Sequence, residues 1–253
     1  HDHCILTVSG NTNNFGGCIV KNGVLKDIVE KSPKNVSNLI NAGLYVLDDT
    51  IFREQVSKSP RGEYEITDAI KSLAKKAGIK SVRGTLWEPV AYPWKLLEAN
   101  EAILRQADSL IHPEAEISKE ARIEGPVVVG KGAVLKNCVV RAYSVIGDNV
   151  TIGNFVEIKN SIIMEGTKIP HLSYVGDSVI GRNCNFGAGT KIANLRFDDG
   201  NVKVMINGKN MDSGRRKLGC FMGDNVKTGI NVSIMPGAVI KSGSMLEPGK
   251  AFK

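Results

Sequence analysis

Two fold classes are predicted in one chain: a mixed α/β segment over residues 1–106, then an all-β parallel β-helix over residues 107–253. Three observations predict them. Ile111, Ile117, Ile123, Val129 and Leu135 recur six apart, and so do Ile146, Ile152 and Ile158, then Ile180, Phe186 and Ile192, then Met222, Thr228, Ile234, Ile240 and Leu246. Residues 65–78 instead place Ile66, Ala69, Ile70 and Leu73 at helical spacing. Residues 15–31 read as strand, turn and strand, with Asn22-Gly23 at the turn.

Taken in order, the start HDHC (His1–Cys4) reads as a frayed terminus, able at most to catch a stray metal ion. The Asn-Gly hairpin follows, because both residues accept the positive φ that a tight turn demands. NAGLYVLD (41–48) is a further strand. The helix over 65–78 ends with Gly78 as its cap, and a second helix over 93–107 begins with Pro93 in its first turn, where a missing N–H costs nothing. From residue 111 each hexad supplies a short strand with one inward aliphatic side chain, and three hexads complete a coil. The count lapses at 165–173, around His171, and again at 194–220, a polar stretch with Lys and Arg that is expected to protrude as a functional loop.

Composition bounds the function. The 253 residues are 42% hydrophobic and 23% charged, as in a soluble globular protein of one or two domains. No apolar run reaches membrane-spanning length, and the first residues lack the basic and apolar regions of a signal peptide. His1 in place of an initiator methionine is expected of a fragment. Five cysteines, an odd number without framework spacing, suit free thiols in a reducing cytoplasm. The net charge of +7 is spread along the chain, which fits small anionic substrates and not nucleic acid.

The motifs VVRAYSVIG, FVEIKNS, HLSYVGDSVIG, NFGAGT and ANLRFD, with the tail RRKLGCFMGDNVKTGINVSIMPG, narrow this further. They resemble the acetyltransferase half of the bifunctional sugar-1-phosphate nucleotidyltransferase/acetyltransferases, the tail looking like the archaeal-type members. The resemblance implies a left-handed β-helix, a hand that spacing alone does not give, since parallel crossovers are normally right-handed. It also implies a cytoplasmic homotrimer with active sites between subunits. The implied reaction is acetyl-CoA-dependent N-acetylation of glucosamine-1-phosphate or galactosamine-1-phosphate, towards UDP-N-acetylhexosamine. FGG, IVEK, NAGLYV, GEYEITDAI and YPWKLLEAN stand in the order of the C-terminal part of the family's Rossmann-like nucleotidyltransferase domain. Two departures matter. The Gly-rich segment that opens that domain is absent, and WEPVA (87–91) puts Pro89 where many members keep a magnesium-binding Asp. Gly16, Glu30, Lys31 and Asn41 match the sugar site, but this half is expected to be vestigial and inactive, with Mg2+ used only if a nucleotidyltransferase half is completed.

Acetyl transfer to a sugar amine needs a proton acceptor, donors for the oxyanion and a grip on the 1-phosphate. No enzyme nucleophile is required, because the amine attacks. His171 is the candidate base, its ordinary pKa of roughly 6.5 lying near working pH. A structural role is the alternative for a lone His; a metal role is disfavoured because no second His lies near. His112, at the first hexad, reads as a turn residue. Arg141 and Lys159 stand three hexads apart, so they should stack on neighbouring coils. By resemblance they hold the phosphate, Arg141 as a bidentate clamp. Tyr174 and Asn185 match sugar-hydroxyl and phosphate contacts, although Asn185 would serve equally as a left-handed corner residue. Asn194 matches a residue that orients the amine near the thioester, and Lys203 a loop lysine that reaches a neighbouring subunit. Ala188, and Gly229 within the 220–236 coils, match the wall along which the pantetheine arm lies. Arg215-Arg216-Lys217 is either a contact for a CoA phosphate or a solvated cluster. The rival functions are a fragment of a sugar-1-phosphate nucleotidyltransferase and a non-catalytic trimeric scaffold.

Overall fold

Asn22 (φ 52°) and Gly23 (φ 73°) close the expected hairpin in a computed structural model that describes residues 3–13 and 15–253. Contacts divide the chain into two units, the first ending at Trp87 and the second beginning at Glu88.

In the first unit, strands β1 (His3–Ser9), β2 (Gly17–Lys21), β3 (Val24–Val29), β4 (Leu39–Val46) and β5 (Ile79–Gly84) form a closed sheet in the order β1-β4-β2-β3-β5. Helix α1 (Ile66–Lys76) buries Ala69, Ile70 and Leu73, and Ile70 and Leu73 join Ile5, Cys18, Leu25, Ile28 and Ile79 in one core. Two expectations are corrected. His3 and Cys4 are not frayed: β1 pairs antiparallel with β4 and parallel with β5, and the inward Ile5 holds it in the core. His1 and Asp2 lie outside the described residues. The cap of α1 is Ala77 in an extended conformation, so Gly78 supplies no left-handed turn and the chain runs directly into β5.

The second unit opens with helix α2 (Pro93–Leu104). Its Trp94 and Leu97 pack against Val179, Val202, Val204, Leu218 and Phe221, so α2 is grouped with the solenoid and the unit boundary precedes the change of texture at 106. The solenoid itself is parallel throughout. Two of its faces are seven-stranded sheets, one running from Leu110–Ile111 to Val239–Ile240 and one from Arg122–Glu124 to Ala251–Phe252. The third stacks four strands up to Lys168–His171 and continues through single bridges from Lys168 to Asn185 and from Asn185 to Lys227. Its core is the predicted aliphatic stack, with Leu135, Ile146, Ile152, Ile158, Ile180, Phe186, Ile192, Ile234 and Ile240 all buried. Ile111, at the first coil, is exposed.

The phase changes have a simple cause. Neighbouring coils pair residues 18 apart at Cys138–Val156 but 17 apart at Val134–Thr151, Val145–Ile162 and Glu157–Tyr174, so the count loses a residue at some corners. The lapse expected at 165–173 is therefore no break. Ile163, Ile169 and Val175 keep the core filled, and Lys168–His171 is an ordinary strand of the ladder. Residues after Asn194 do leave the solenoid, since Lys191 pairs with Ser233 across the excursion. They do not simply protrude. Strands Lys203–Ile206 and Lys209–Asp212 form a hairpin turned at Asn207-Gly208, and Val202 and Val204 are buried against α2 and Phe221. Among the described residues no helix is long and apolar enough to cross a membrane.

Candidate functional site

Strand register sets the first part of the site. Glu124 pairs with Arg141, Val140 with Ile158, and Lys159 with Gly176, so Glu124, Arg141, Lys159 and Gly176 form one rung-by-rung column at the end of a face. The expected stacking of Arg141 on Lys159 follows from this. Arg141 Nε lies 3.1 Å from Glu157 Oε1 and 3.5 Å from Glu124 Oε2. Those carboxylates pair with the guanidinium by charge on the same face. Arg141 and Lys159 line a cavity of about 480 Å³ with Glu101 of α2, Tyr143, Asn160 and Asp177.

Asp177 is the hub of the corner that follows. Its backbone is left-handed (φ 49°) and its side chain is 5% exposed. Asn160 Nδ2 donates to Oδ1 at 2.9 Å, and Asn194 Nδ2 donates to Oδ2 at 2.6 Å. Lys159 Nζ and Arg215 Nη2 each stand 3.9 Å from the same carboxylate. A carboxylate this deep needs such partners, because an unpaired buried charge is costly. Asn194 Nδ2 also donates to the Tyr174 hydroxyl at 3.2 Å. Burial first, and then the Asp177 charge, push the Tyr174 phenol above its ordinary pKa, so it remains a donor at neutral pH. Gly176 makes the arrangement possible: a Cβ there would stand 2.5 Å from the Tyr174 hydroxyl and 2.8 Å from Asn194 Nδ2.

Arg141, Lys159, Tyr174 and Asn194 are thus brought to one corner. His171 and Asn185 are not. His171 ends the strand Lys168–His171 on the adjacent face, Leu172 (φ 51°) turns the corner, and Tyr174 begins the next face. His171 is exposed, pairs by register with Asn154, and spends its carbonyl on Ser173 and Gly189. Asn185 lies on the face of His171, and it is Asn183 (φ 53°) that takes the left-handed corner, so the corner alternative for Asn185 is excluded. Lys203 opens the hairpin with its side chain exposed. Ala188 and Gly229 lie in segments stacked backbone on backbone; the Ala188 carbonyl accepts from Asn231, and a Cβ on Gly187 would overlap Gly229. His112 is a turn residue, its Nδ1 accepting from the Glu114 N–H at 3.1 Å.

Sequence reasoning missed Asp177 and Asn160, and it did not foresee where Arg215 packs. The available signal for Asp177 was its place at a corner two residues after Val175, within HLSYVGDSVIG. Arg215, expected either to contact a CoA phosphate or to be solvated, is 18% exposed in its side chain and also lies 3.8 Å from Glu98 of α2.

The first unit holds its own pocket. Glu30, Lys31 and Asn41 line about 260 Å³ with Tyr45, Arg61 and Glu65. Gly16 backs it, since a Cβ there would stand 2.7 Å from Glu30 Oε2. Asn41 Nδ2 donates to the Tyr45 hydroxyl at 2.7 Å. Burial, reinforced by Glu65, raises the Glu30 carboxyl above the usual carboxylate range. Among the described residues no three His, Cys, Asp or Glu side chains cluster as metal ligands, and Pro89 offers no oxygen side chain.

Residues 3–106 match the Nucleotidyl transferase family and residues 132–212 the GMPPB C-terminal domain. The first match gives no support to the expectation that this half is inactive. The chain is 46% identical over 92% of its length to the Bifunctional protein GlmU of Methanocaldococcus jannaschii, covering 62% of that protein. It is 43% identical over 94% of its length to the Bifunctional sugar-1-phosphate nucleotidylyltransferase/acetyltransferase of Sulfurisphaera tokodaii, covering 65%. It therefore spans under two thirds of these relatives. Among solved structures, a hexapeptide transferase family protein from Anaplasma phagocytophilum is 17% identical, with a TM-score of 0.38 over 56% of this chain and 72% of that one.

Proposed function

For a chain homologous along most of its length to archaeal bifunctional sugar-1-phosphate nucleotidyltransferase/acetyltransferases, we propose that the solenoid unit transfers the acetyl group of acetyl-CoA to the amine of an amino-sugar 1-phosphate. The observation that supports this best is the corner that gathers Arg141, Lys159, Tyr174 and Asn194, with Lys159 and Asn194 set against the buried Asp177 carboxylate. Arg141 and Lys159 hold the 1-phosphate. Tyr174 donates to a sugar oxygen, Asn194 and Asn185 orient the sugar, and Ala188 and Gly229 border the pantetheine arm. The amine attacks the thioester carbonyl and its proton passes to His171; the C–S bond then breaks, and the departing CoA thiolate takes that proton back to leave as the thiol. His171 and Lys159 end different faces of the solenoid, so a complete site combines corners of two copies in a homotrimer, with Lys203 reaching across. Glucosamine-1-phosphate and galactosamine-1-phosphate are the substrates, and five cysteines, an odd number without framework spacing, suit a cytoplasmic setting.

Thiol release from acetyl-CoA tests this, run against glucosamine-1-phosphate, galactosamine-1-phosphate and glucosamine-6-phosphate. Turnover is expected with the 1-phosphates. No turnover with either would refute it.

A second reading, nucleotidyl transfer by the longer protein of which the first unit forms part, is favoured by the Glu30–Lys31–Asn41 pocket and the match over residues 3–106. Its test is pyrophosphate release from UTP and a sugar 1-phosphate with magnesium, lost in Lys31→Ala.

A further inference from the structure

The Asn194 amide has only one permitted orientation. A carboxylate accepts and never donates, so the Asn194 group 2.6 Å from Asp177 Oδ2 must be the amide nitrogen. The other Nδ2 hydrogen serves the Tyr174 hydroxyl oxygen. Both donors are spent inward, and Oδ1 is left to accept. The Tyr174 proton is left to donate, because its oxygen is already accepting. The corner thus presents one acceptor and one donor side by side, in a sense dictated by a buried charge. The same carboxylate stands beside Lys159 Nζ and Arg215 Nη2, each at 3.9 Å, and its other oxygen is held by Asn160. Asp177 itself is only 3% exposed, with its carboxylate oxygens taken up by these neighbours.

We propose that Asp177 is a positioning residue, which locks the Asn194 amide with Oδ1 outward, as acceptor for an N–H of the attacking amine, and steadies Lys159 on the same corner. This rests on the acetyl-transfer reading. An acceptor on the amine matters because its remaining N–H must be held while the lone pair faces the thioester. A flipped amide would present N–H to N–H and turn the amine away.

Asp177→Asn is the discriminating change. It is nearly isosteric, and Asn tolerates left-handed backbone, as Asn160 (φ 43°) and Asn183 do in this chain. It removes the rule, since an Asn at 177 can donate to Asn194 Oδ1 and let the pair flip. A double-mutant cycle of Asp177→Asn and Asn194→Ala reads the coupling. Asp177→Asn should lower kcat about tenfold to a hundredfold, the scale of a misplaced reacting group. KM for acetyl-CoA should stay unchanged, and the double variant should be no slower than Asn194→Ala alone. A residue that only stabilised the fold would instead multiply its loss with that of Asn194→Ala. Near-normal kcat in Asp177→Asn, or multiplying losses, would overturn the proposal. If that variant does not fold, Asp177→Gly, which the left-handed backbone favours, replaces it with the same expectations. A wild-type chain without turnover would refute the acetyl-transfer reading and this inference together. An active wild type with multiplying losses refutes this inference alone.

Discussion

Tyr174 announces its surroundings through its proton. Burial and the Asp177 carboxylate disfavour its phenolate, so its pKa in the folded chain lies above the ordinary value. The linkage sign follows. A group with a raised folded pKa contributes stability below its unfolded pKa of about 10, and that stability is lost as pH climbs past it. Thermal melts should therefore fall more steeply above about pH 10 in the wild type than in Tyr174→Phe, which lacks the ionisation. Three cysteines are expected to be inert for the same reason: burial pushes the Cys18 and Cys220 thiols up to about 12 and Cys138 to about 11. Titration with a thiol reagent should leave these three unmodified in the native chain and modify them on unfolding. For the chemistry, His171→Ala should cost on the order of a hundred- to ten-thousandfold in kcat, as loss of a positioned base does, with the assembly intact by light scattering. Lys159→Ala should mainly raise KM for the sugar phosphate, because a clamp acts on ground state and transition state alike.

Corners and packed excursions matter more than strands at the scale of elements. Each solenoid strand is only two to four residues long, so position is set by what stacks at the turns. Gly176 and Gly153 make a useful contrast. A Cβ on Gly153 would overlap the Pro170 carbonyl, which is backbone of the next coil, so Gly153→Ala should strain the ladder. On Gly176 the atoms nearest the Cβ belong to the Tyr174 phenol and the Asn194 amide, which are side chains and not backbone. Gly176→Ala should then lower kcat while the melting temperature changes little, and paired activity and melting measurements on both variants check this. Helix α2 and the hairpin base share one small core with the solenoid face, where Leu97 and Val204 are fully buried. Leu97→Ala should cost about 2–5 kcal/mol in denaturant unfolding of the second unit, the usual range for a cavity of that size.

At the scale of the whole molecule, the proposed trimer gives the strongest test of the site. His171 and Lys159 end different faces of the solenoid, so mixed trimers of His171→Ala and Lys159→Ala copies, assayed at low sugar phosphate, should regain part of the activity that each homogeneous variant lacks. Recovery on co-refolding, with none on mixing without exchange, is the expected result, and light scattering should give three times the 27.3 kDa chain mass.

The solenoid was legible in the sequence because its core repeats: one inward aliphatic side chain per hexad is a local rule, visible without any knowledge of what stacks where. The same held for the Asn22-Gly23 hairpin and for both helices, whose signals span only a few residues. Arg141 over Lys159 followed from the coil period alone. What no local rule contained was β1, whose place depends on β4 and β5 far along the chain, and the packing of Val202 and Val204 onto α2. Nor could spacing separate His171 from the phosphate corner, since one left-handed residue, Leu172, decides which face each side chain joins. Asp177 belongs to the tertiary structure altogether. Its partners come from Asn160, Lys159, Asn194 and Arg215, on different coils and on the excursion, and only folding gathers them round one carboxylate too deeply buried to stand unpaired.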